Sequence, residues 1–461
     1  MDRYKRIAGA LALTMTIGLA PINAEDTVQY RKFTNAKGQS LSAVLVDKND
    51  THAVFLLQNG KRATVEISSL QEDDQTFIKE WNKAKAIFLQ KCKGLTIGEL
   101  LTLRGYEAIP IKFHGNSMVI QAKINGKPAK FIVDTGAGTS LFHTGAATRT
   151  GCQLGEFTEK VYGVSGEAPA AWADVKTLSI GESVFKDRKI LATDLKKDQH
   201  KGVELTDDGL FGAEFLSDLD AVISYQERKL YLRPDNSDKE KAEGEEASEQ
   251  NFRIFKTKDK KIYRGHITKK TATVATIKQT NGKVIQLPIS RLEPADANYV
   301  FQWSEQGAAF LEHCRGLTIH ELLTLRSYQD FKYKREGNHI FVNGKLNDNP
   351  VKWLIDTGAD NSLLHLQAAK DNKAKIGPMD KKVYGIGGSA PAAGCTVDSI
   401  SMGNAVFNKR KILATDLDRF EQGIDYVGLF GADLMRECNA VITYREQRIF
   451  LELQPQAETS N

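Results

Sequence analysis

Hydrophobic and polar positions alternate with a period of two along much of this chain, in short runs separated by Gly, Asn, Asp and Ser. Within residues 28–70 the runs LSAVLVD, HAVFLLQ and RATVEIS predict half-buried strands. Asn59-Gly60 between two of them is a strong hairpin signal, because a tight turn needs residues that tolerate positive φ. TATVATIKQTNGKVIQLPIS repeats the pattern further along. The period changes over 72–92, where Phe77, Ile78, Trp81, Ala84, Ile87 and Phe88 fall at helical spacing. Thr96-Ile-Gly-Glu99 and Thr318-Ile-His-Glu321 each fit a capping box at a helix start. Strand-type runs then return as SMVIQAKI, KFIVD, AVISY and KLYLR, and again as HIFVNGKL, KWLID, AVITY and RIFLEL. The pattern predicts a mainly β protein with short helical connectors.

Almost all of this is written twice. A constant offset of 222 pairs Phe33 with Phe255, Trp81 with Trp303, Cys92 with Cys314 and Asp134 with Asp356. After a three-residue deletion the offset becomes 219, pairing Gly209 with Gly428 and Gly212 with Gly431. An internal repeat of this length means two composite units in tandem. The expected organisation is a leader at 1–24, a small β module at 25–82, a connector at 83–110 and a β lobe at 111–233. A linker at 234–250 leads to a second module at 251–304, a connector at 305–332, a second lobe at 333–454 and a tail at 455–461. PDNSDKEKAEGEEASEQ, the 234–250 stretch, carries many charges and no aliphatic residue larger than Ala, so its composition predicts a flexible linker. The tail QPQAETSN is expected to be disordered as well.

Charge and leader narrow the setting. Lys and Arg exceed Asp and Glu by only five, which points to no nucleic-acid or membrane-surface partner. Arg3, Lys5 and Arg6 precede an apolar run from Ile7 to Ala20, and Ala24 sits at a suitable cleavage position. That run has 14 residues, whereas a spanning helix needs about 20. The expectation is a cleaved signal peptide and a secreted or periplasmic protein without a membrane span. Five cysteines are too few for a disulfide scaffold. Cys395 and Cys438 replace apolar Ala173 and Leu219 of the first copy, a paired change that suggests neighbouring positions and a disulfide inside the second lobe. Cys92 and Cys314 are expected to be buried in the connectors, and Cys152 is unassigned.

The candidate chemistry lies in FIVDTGAGTSLF (131–142) and WLIDTGADNSLL (353–364). Asp-Thr-Gly alone is a weak signal, since all three residues favour turns. Here, however, a buried-type strand runs into each aspartate, and small Gly and Ala let another backbone approach. GLFG follows at 209–212 and at 428–431, and the glycine-rich hairpins KVYGVSGEAPA and KVYGIGGSAPA lie between. Together these elements resemble the retropepsin-like aspartic proteases. The resemblance covers about 120 residues per copy, roughly half the chain. It implies one catalytic aspartate from each of two lobes, Asp134 and Asp356. Thr135, Gly136, Thr357 and Gly358 would hold the two loops in register. Tyr162, Gly163, Tyr384 and Gly385 would sit on flaps over a peptide or protein substrate. Asp360 matches a position that contacts substrate backbone in retroviral members, whereas the first copy has Gly138. The modules before each lobe resemble the SH3-like SLA homology module, which implies either partner binding or a structural spacer.

Two aspartates are needed because they share a proton. Carboxylates about 3 Å apart would repel by on the order of 5 kcal/mol at an effective dielectric near 20, so one ionises while the other stays protonated. The ionised member takes a proton from an attacking water and the other donates to the carbonyl oxygen. Which is which is not fixed by the sequence. Roughly 100 residues tether the lobes, which favours a monomer with intramolecular pairing over a homodimer, though pairing between chains stays open. A peptide-binding protein without turnover is the other alternative. GVSG around Ser165 lacks the final glycine of a nucleophile elbow. The nine histidines have no metal-ligand spacing, and no phosphate-binding glycine motif occurs. No metal or cofactor is indicated.

Overall fold

The computed structural model describes residues 30–92, 94–181, 183–195, 207–233, 253–314, 316–326, 328–403, 405–417 and 425–452. The leader (1–24), the linker (234–250) and the tail (455–461) lie outside the described residues. The chain divides into two compact units, Met1–Lys91 and Cys92–Asn461.

In the first unit, strands Arg31–Thr34, Ser40–Lys48, His52–Leu57 and Arg62–Glu66 form an antiparallel meander. Its inward positions, Phe33, Ala43, Leu45, Ala53 and Phe55, pack with Ile67, Leu70 and Ile78. Buried Asp74 ties the helix start to the first strand by accepting from the Arg31 guanidinium at 2.9 Å and the Thr34 amide at 2.7 Å. A small four-stranded sheet of this kind is compatible with an SH3-like module. The helical run over 72–92 is broken. Trp81 is extended at φ −64°, ψ 135°, and separates Glu72–Glu80 from Lys83–Cys92. Asn82 restarts the helix, its side-chain oxygen accepting from the Lys85 amide at 2.9 Å, as a capping residue does.

The second unit contains a matching meander, Arg253–Lys256, Ile262–Lys270, Val274–Gln279 and Val284–Pro288. Asp296 repeats the Asp74 device with Arg253 and the Lys256 amide. The unit also contains two nine-stranded sheets built alike, one spanning Lys112–Phe211 and the other Lys334–Phe430. A six-stranded sheet joins the two halves, with Glu107–Pro110, Val222–Ser224 and Lys229–Leu232 from the first copy and Tyr328–Lys332, Val441–Thr443 and Arg448–Glu452 from the second. Its central contact is an antiparallel pairing in which Ile223 faces Ile442. One apolar core runs through both lobes, from Ile109 and Phe131 to Trp353 and Leu451. No described helix is long and apolar enough to cross a membrane.

The short strand of each GLFG motif positions its aspartate. Gly209–Phe211 lies parallel to Phe131–Val133 on one side and antiparallel to Leu141–Phe142 on the other. Gly428–Phe430 is wedged in the same way. Gly209 is required by the fit, since a Cβ there would lie 2.3 Å from the Leu141 carbonyl oxygen. That oxygen is backbone and cannot rotate away, and the next contact is the buried Phe131 ring at 2.8 Å. Gly209→Ala is therefore expected to destabilise the second unit by at least about 1–3 kcal/mol, the usual cost of overpacking. Urea unfolding checks this, and an unchanged midpoint would show that the strand is not clamped as described.

Candidate active site

Each aspartate sits at the end of a buried strand, where its loop turns through Thr and Gly. The Asp134 amide donates to the Phe211 carbonyl at 3.0 Å, and the Asp356 amide to that of Phe430 at 3.1 Å. The amides of Gly136 and Ala137 donate to Asp134 Oδ1 at 2.9 and 3.0 Å. Those of Gly358 and Ala359 donate to Asp356 Oδ1, both at 2.9 Å. Asp134 is buried and Asp356 half-buried.

The two loops are joined by a reciprocal set of bonds. The Thr135 amide donates to Thr357 Oγ1 at 3.0 Å, and the Thr357 amide to Thr135 Oγ1 at 3.1 Å. Each hydroxyl then donates across to the opposite strand, Thr135 to the Ile355 carbonyl at 2.8 Å and Thr357 to that of Val133 at 2.7 Å. Both threonines are completely buried, so every polar group in this net is satisfied by a partner of the other lobe. Gly136 and Gly358 complete the approach. A Cβ on Gly136 would lie 2.4 Å from Asp356 Cγ, and one on Gly358 would lie 2.3 Å from Asp134 Cγ. The structure thus brings Asp134, Asp356, both threonines and both glycines together.

The pair is electrostatically uneven. Burial, and next the neighbouring Asp356 carboxylate, push Asp134 well above the usual carboxylate range. Burial raises Asp356 too, but the Ala359 amide, a hydrogen bond from Asp134, the Gly358 amide and His339 all pull it back down. Both acids are thus harder to ionise than a free carboxyl, Asp134 the more so.

The flaps are hairpins, Glu159–Gly163 with Gly166–Ile180 and Lys381–Gly385 with Gly388–Met402. Their tips meet. Val164 packs into the apolar cluster of the second lobe around Phe341 and Leu363, and Ile386 into that of the first lobe around Leu141 and Val161. A Cβ on Gly163 would lie 2.8 Å from Ile386 Cβ, and one on Gly385 would lie 2.7 Å from Val164 Cγ2. Tyr162 and Tyr384 do not share this position. They are 61% and 47% exposed, on the opposite strand face from Val161 and Val383, because neighbouring strand residues point to opposite sides. The inward side of each flap is lined by the valines and the tip residues rather than by the tyrosines.

The Asp360 carboxylate is engaged with the opposing lobe. It accepts from the amides of Asn116 and Ser117, the latter at 3.0 Å, while Asn116 Nδ2 donates to its carbonyl at 3.0 Å. At the equivalent place in the first lobe, Gly138 makes room for an imidazole. A Cβ there would lie 3.2 Å from His339 Nε2, and Asn338 Nδ2 donates to the Gly138 carbonyl at 2.8 Å. His339 is the repeat partner of Ser117, so the two unlike contacts are matched changes.

Sequence reasoning missed a supporting carboxylate in each lobe. Glu214 accepts from the Ser140 amide at 2.6 Å, and Ser140 Oγ accepts from the Gly212 amide at 2.8 Å. In the second lobe Ser362 bonds twice to Asp433, and its Oγ accepts from the Gly431 amide at 2.9 Å. The acidic residue two places after each GLFG glycine was the available signal. The suggested Cys395–Cys438 disulfide is corrected by the structure, which has both as free, buried thiols. Each fills an apolar site of the core as a small hydrophobe. Burial raises both thiols, that of Cys438 to about 12. No group of side chains suited to a metal ion occurs among the described residues.

Known proteins were compared with this chain. The aspartyl protease family model matches residues 120–215 and 342–434, once in each lobe. Similar solved structures include a retropepsin-like aspartic protease from Rickettsia conorii, at 23% identity over 28% of this chain and 92% of that one, with a TM-score of 0.21. The EIAV protease complexed with the inhibitor HBY-793 is 24% identical over 23% of this chain and 88% of its own, with a TM-score of 0.18. No curated protein matches the sequence. The two lobes carry a repeated aspartic-protease fold.

The raised Asp134 has a consequence for stability. A carboxyl that is harder to ionise in the folded chain favours folding below the ordinary carboxylate pKa, and this contribution is lost as pH rises through the raised folded value. Asp134→Asn removes the charge that is disfavoured. It should raise the melting temperature of the second unit by a few degrees at pH 7–8, with the gain vanishing below about pH 4. A gain that is the same at every pH would contradict a raised Asp134 carboxyl.

Proposed function

We propose that the chain is an exported aspartic endopeptidase whose two lobes each supply one aspartate of a shared pair. The observation that carries this reading is the reciprocal threonine net, which draws the two aspartate loops together, and the raising of Asp134 by burial and by neighbouring Asp356 supports a proton shared between them. In the proposed mechanism a water lies against both carboxyls. Ionised Asp356 accepts its proton as the oxygen attacks the peptide carbonyl carbon, and Asp134 donates its own proton to the carbonyl oxygen. Collapse of the tetrahedral intermediate returns a proton to the leaving amine, and cleavage restores the monoprotonated pair. No metal or cofactor takes part in this scheme. Export rests on the leader read from the sequence. The small β modules serve this reading as spacing or recognition elements, and intramolecular pairing is supported by the sheet that joins the lobes.

Digestion of a peptide library by the full mature chain tests the proposal, with new termini identified by mass spectrometry. Hydrolysis is expected in mildly acid conditions. Asp134→Asn and Asp356→Asn should each lower it by at least about 10²–10⁴-fold, the usual contribution of a positioned acid or base. Depletion of peptides without new termini would instead identify a binding protein. Full activity in either purified single variant would overturn the shared pair.

A further inference from the structure

Cys92 and Cys314 are repeat partners, free thiols in the structure as Cys152, Cys395 and Cys438 are, and their sulfurs lie 3.5 Å apart at a site with no exposure to solvent. The surrounding backbone is fixed from both copies. Each cysteine carbonyl accepts from the amide three residues on, Leu95 at 2.8 Å and Leu317 at 2.9 Å. The capping-box helices Ile97–Thr102 and Ile319–Thr324 follow directly. The Arg104 side chain donates to the Leu317 carbonyl and the Arg326 side chain to that of Leu95, a reciprocal clasp between copies. Glu227 accepts from the Ile97 and Gly98 amides at 2.9 and 3.1 Å, and Glu446 from those of Ile319 and His320 at 3.0 and 3.3 Å. The two thiols are thus held in contact by elements that do not depend on a bond between them.

We propose that Cys92 and Cys314 become joined as a disulfide that staples the two copies of the repeat together. An S–S bond of about 2.05 Å requires the sulfurs to close by roughly 1.5 Å. The bond forms by exchange with a disulfide-bearing oxidant. One thiolate attacks a sulfur of the donor and releases the first donor thiolate. The second cysteine thiolate then attacks the mixed disulfide and releases the other. Two protein thiols lose two protons and two electrons, and the donor disulfide gains them as two thiols. Burial raises both cysteines, so attack takes place while the connectors are still forming rather than in the finished fold. The inference is independent of any peptidase activity.

The test is oxidative refolding of the full chain. Reduced, denatured protein is refolded with a mixture of oxidised and reduced glutathione, quenched with an alkylating reagent after denaturation and mapped by mass spectrometry. The expected result is one linked peptide pair containing Cys92 and Cys314, with alkyl groups on Cys152, Cys395 and Cys438. Alkylation of all five, or a link through any other cysteine, overturns the proposal. A chain with a specific protease site inserted in 234–250 gives a second readout. After cutting, the two fragments should migrate together on a denaturing gel without reductant and separate with it. Separation without reductant overturns the proposal, while Cys314→Ala should release the fragments under both conditions.

Discussion

Two carboxyl groups withdrawn from water and turned toward each other are the constraint on which the rest of this fold depends. Left alone, such a pair would swell the interface until water returned. Each acid is therefore given two amide donors from its own loop. Each loop is then bolted to the other through a threonine that spends both its hydroxyl proton and a lone pair across the interface. A buried threonine pair of this kind has no tolerance for slippage, because moving one loop would break all four hydrogen bonds and leave buried donors without partners at about 1–3 kcal/mol each. The six-stranded sheet and the continuous core supply the rigidity that the net requires.

The uneven electrostatics of the pair follow from the same construction. Both carboxyls suffer the loss of water, and for Asp356 the Ala359 amide, the bond with Asp134, the Gly358 amide and, least of these, His339 offset part of it. His339 has that place because its opposite number is Gly138, with no side chain to block it. The converse contact uses Asp360 against the Asn116 and Ser117 amides. Repeat-equivalent positions have diverged in complementary pairs, which makes the two sides of the cleft chemically different while the threonine net stays symmetric.

Much of this architecture could be read from the chain before any coordinates. Two copies of an apolar run ending in Asp-Thr-Gly-Ala, each with a later GLFG, give the wedge of strands because only glycine permits the close crossing at 209. The capping boxes were readable too, since they are local and both halves of the device lie within four residues. Orientation was not readable. A period of two specifies that Val161 and Tyr162 point to opposite sides of the flap, but not which side faces the cleft. That depends on the curl of the hairpin toward the other lobe. Asp360 was placed by its neighbours in sequence, whereas its partners come from 243 and 244 residues away. The cysteines failed for a related reason. Replacement of two apolar residues by Cys395 and Cys438 says that each site accepts a small hydrophobe, not that the sites adjoin. The pair that does touch was visible only as two equal positions of the repeat.

A tandem chain has freedom that a homodimer lacks. In a symmetric dimer the residue after Asp-Thr-Gly-Ala must suit both sides at once, so an acid there would face the same hairpin residue twice. Here the first copy can have Gly138 with His339, and the second Asp360 with Ser117. Exchanging partners, as a dimer of two like lobes would, sets Gly138 against Ser117 and Asp360 against His339, so the contacts seen here need one lobe of each kind. Duplication thus lets one loop keep the backbone contacts that fix the lobes while the other admits a charge-tuning group beside the acid pair.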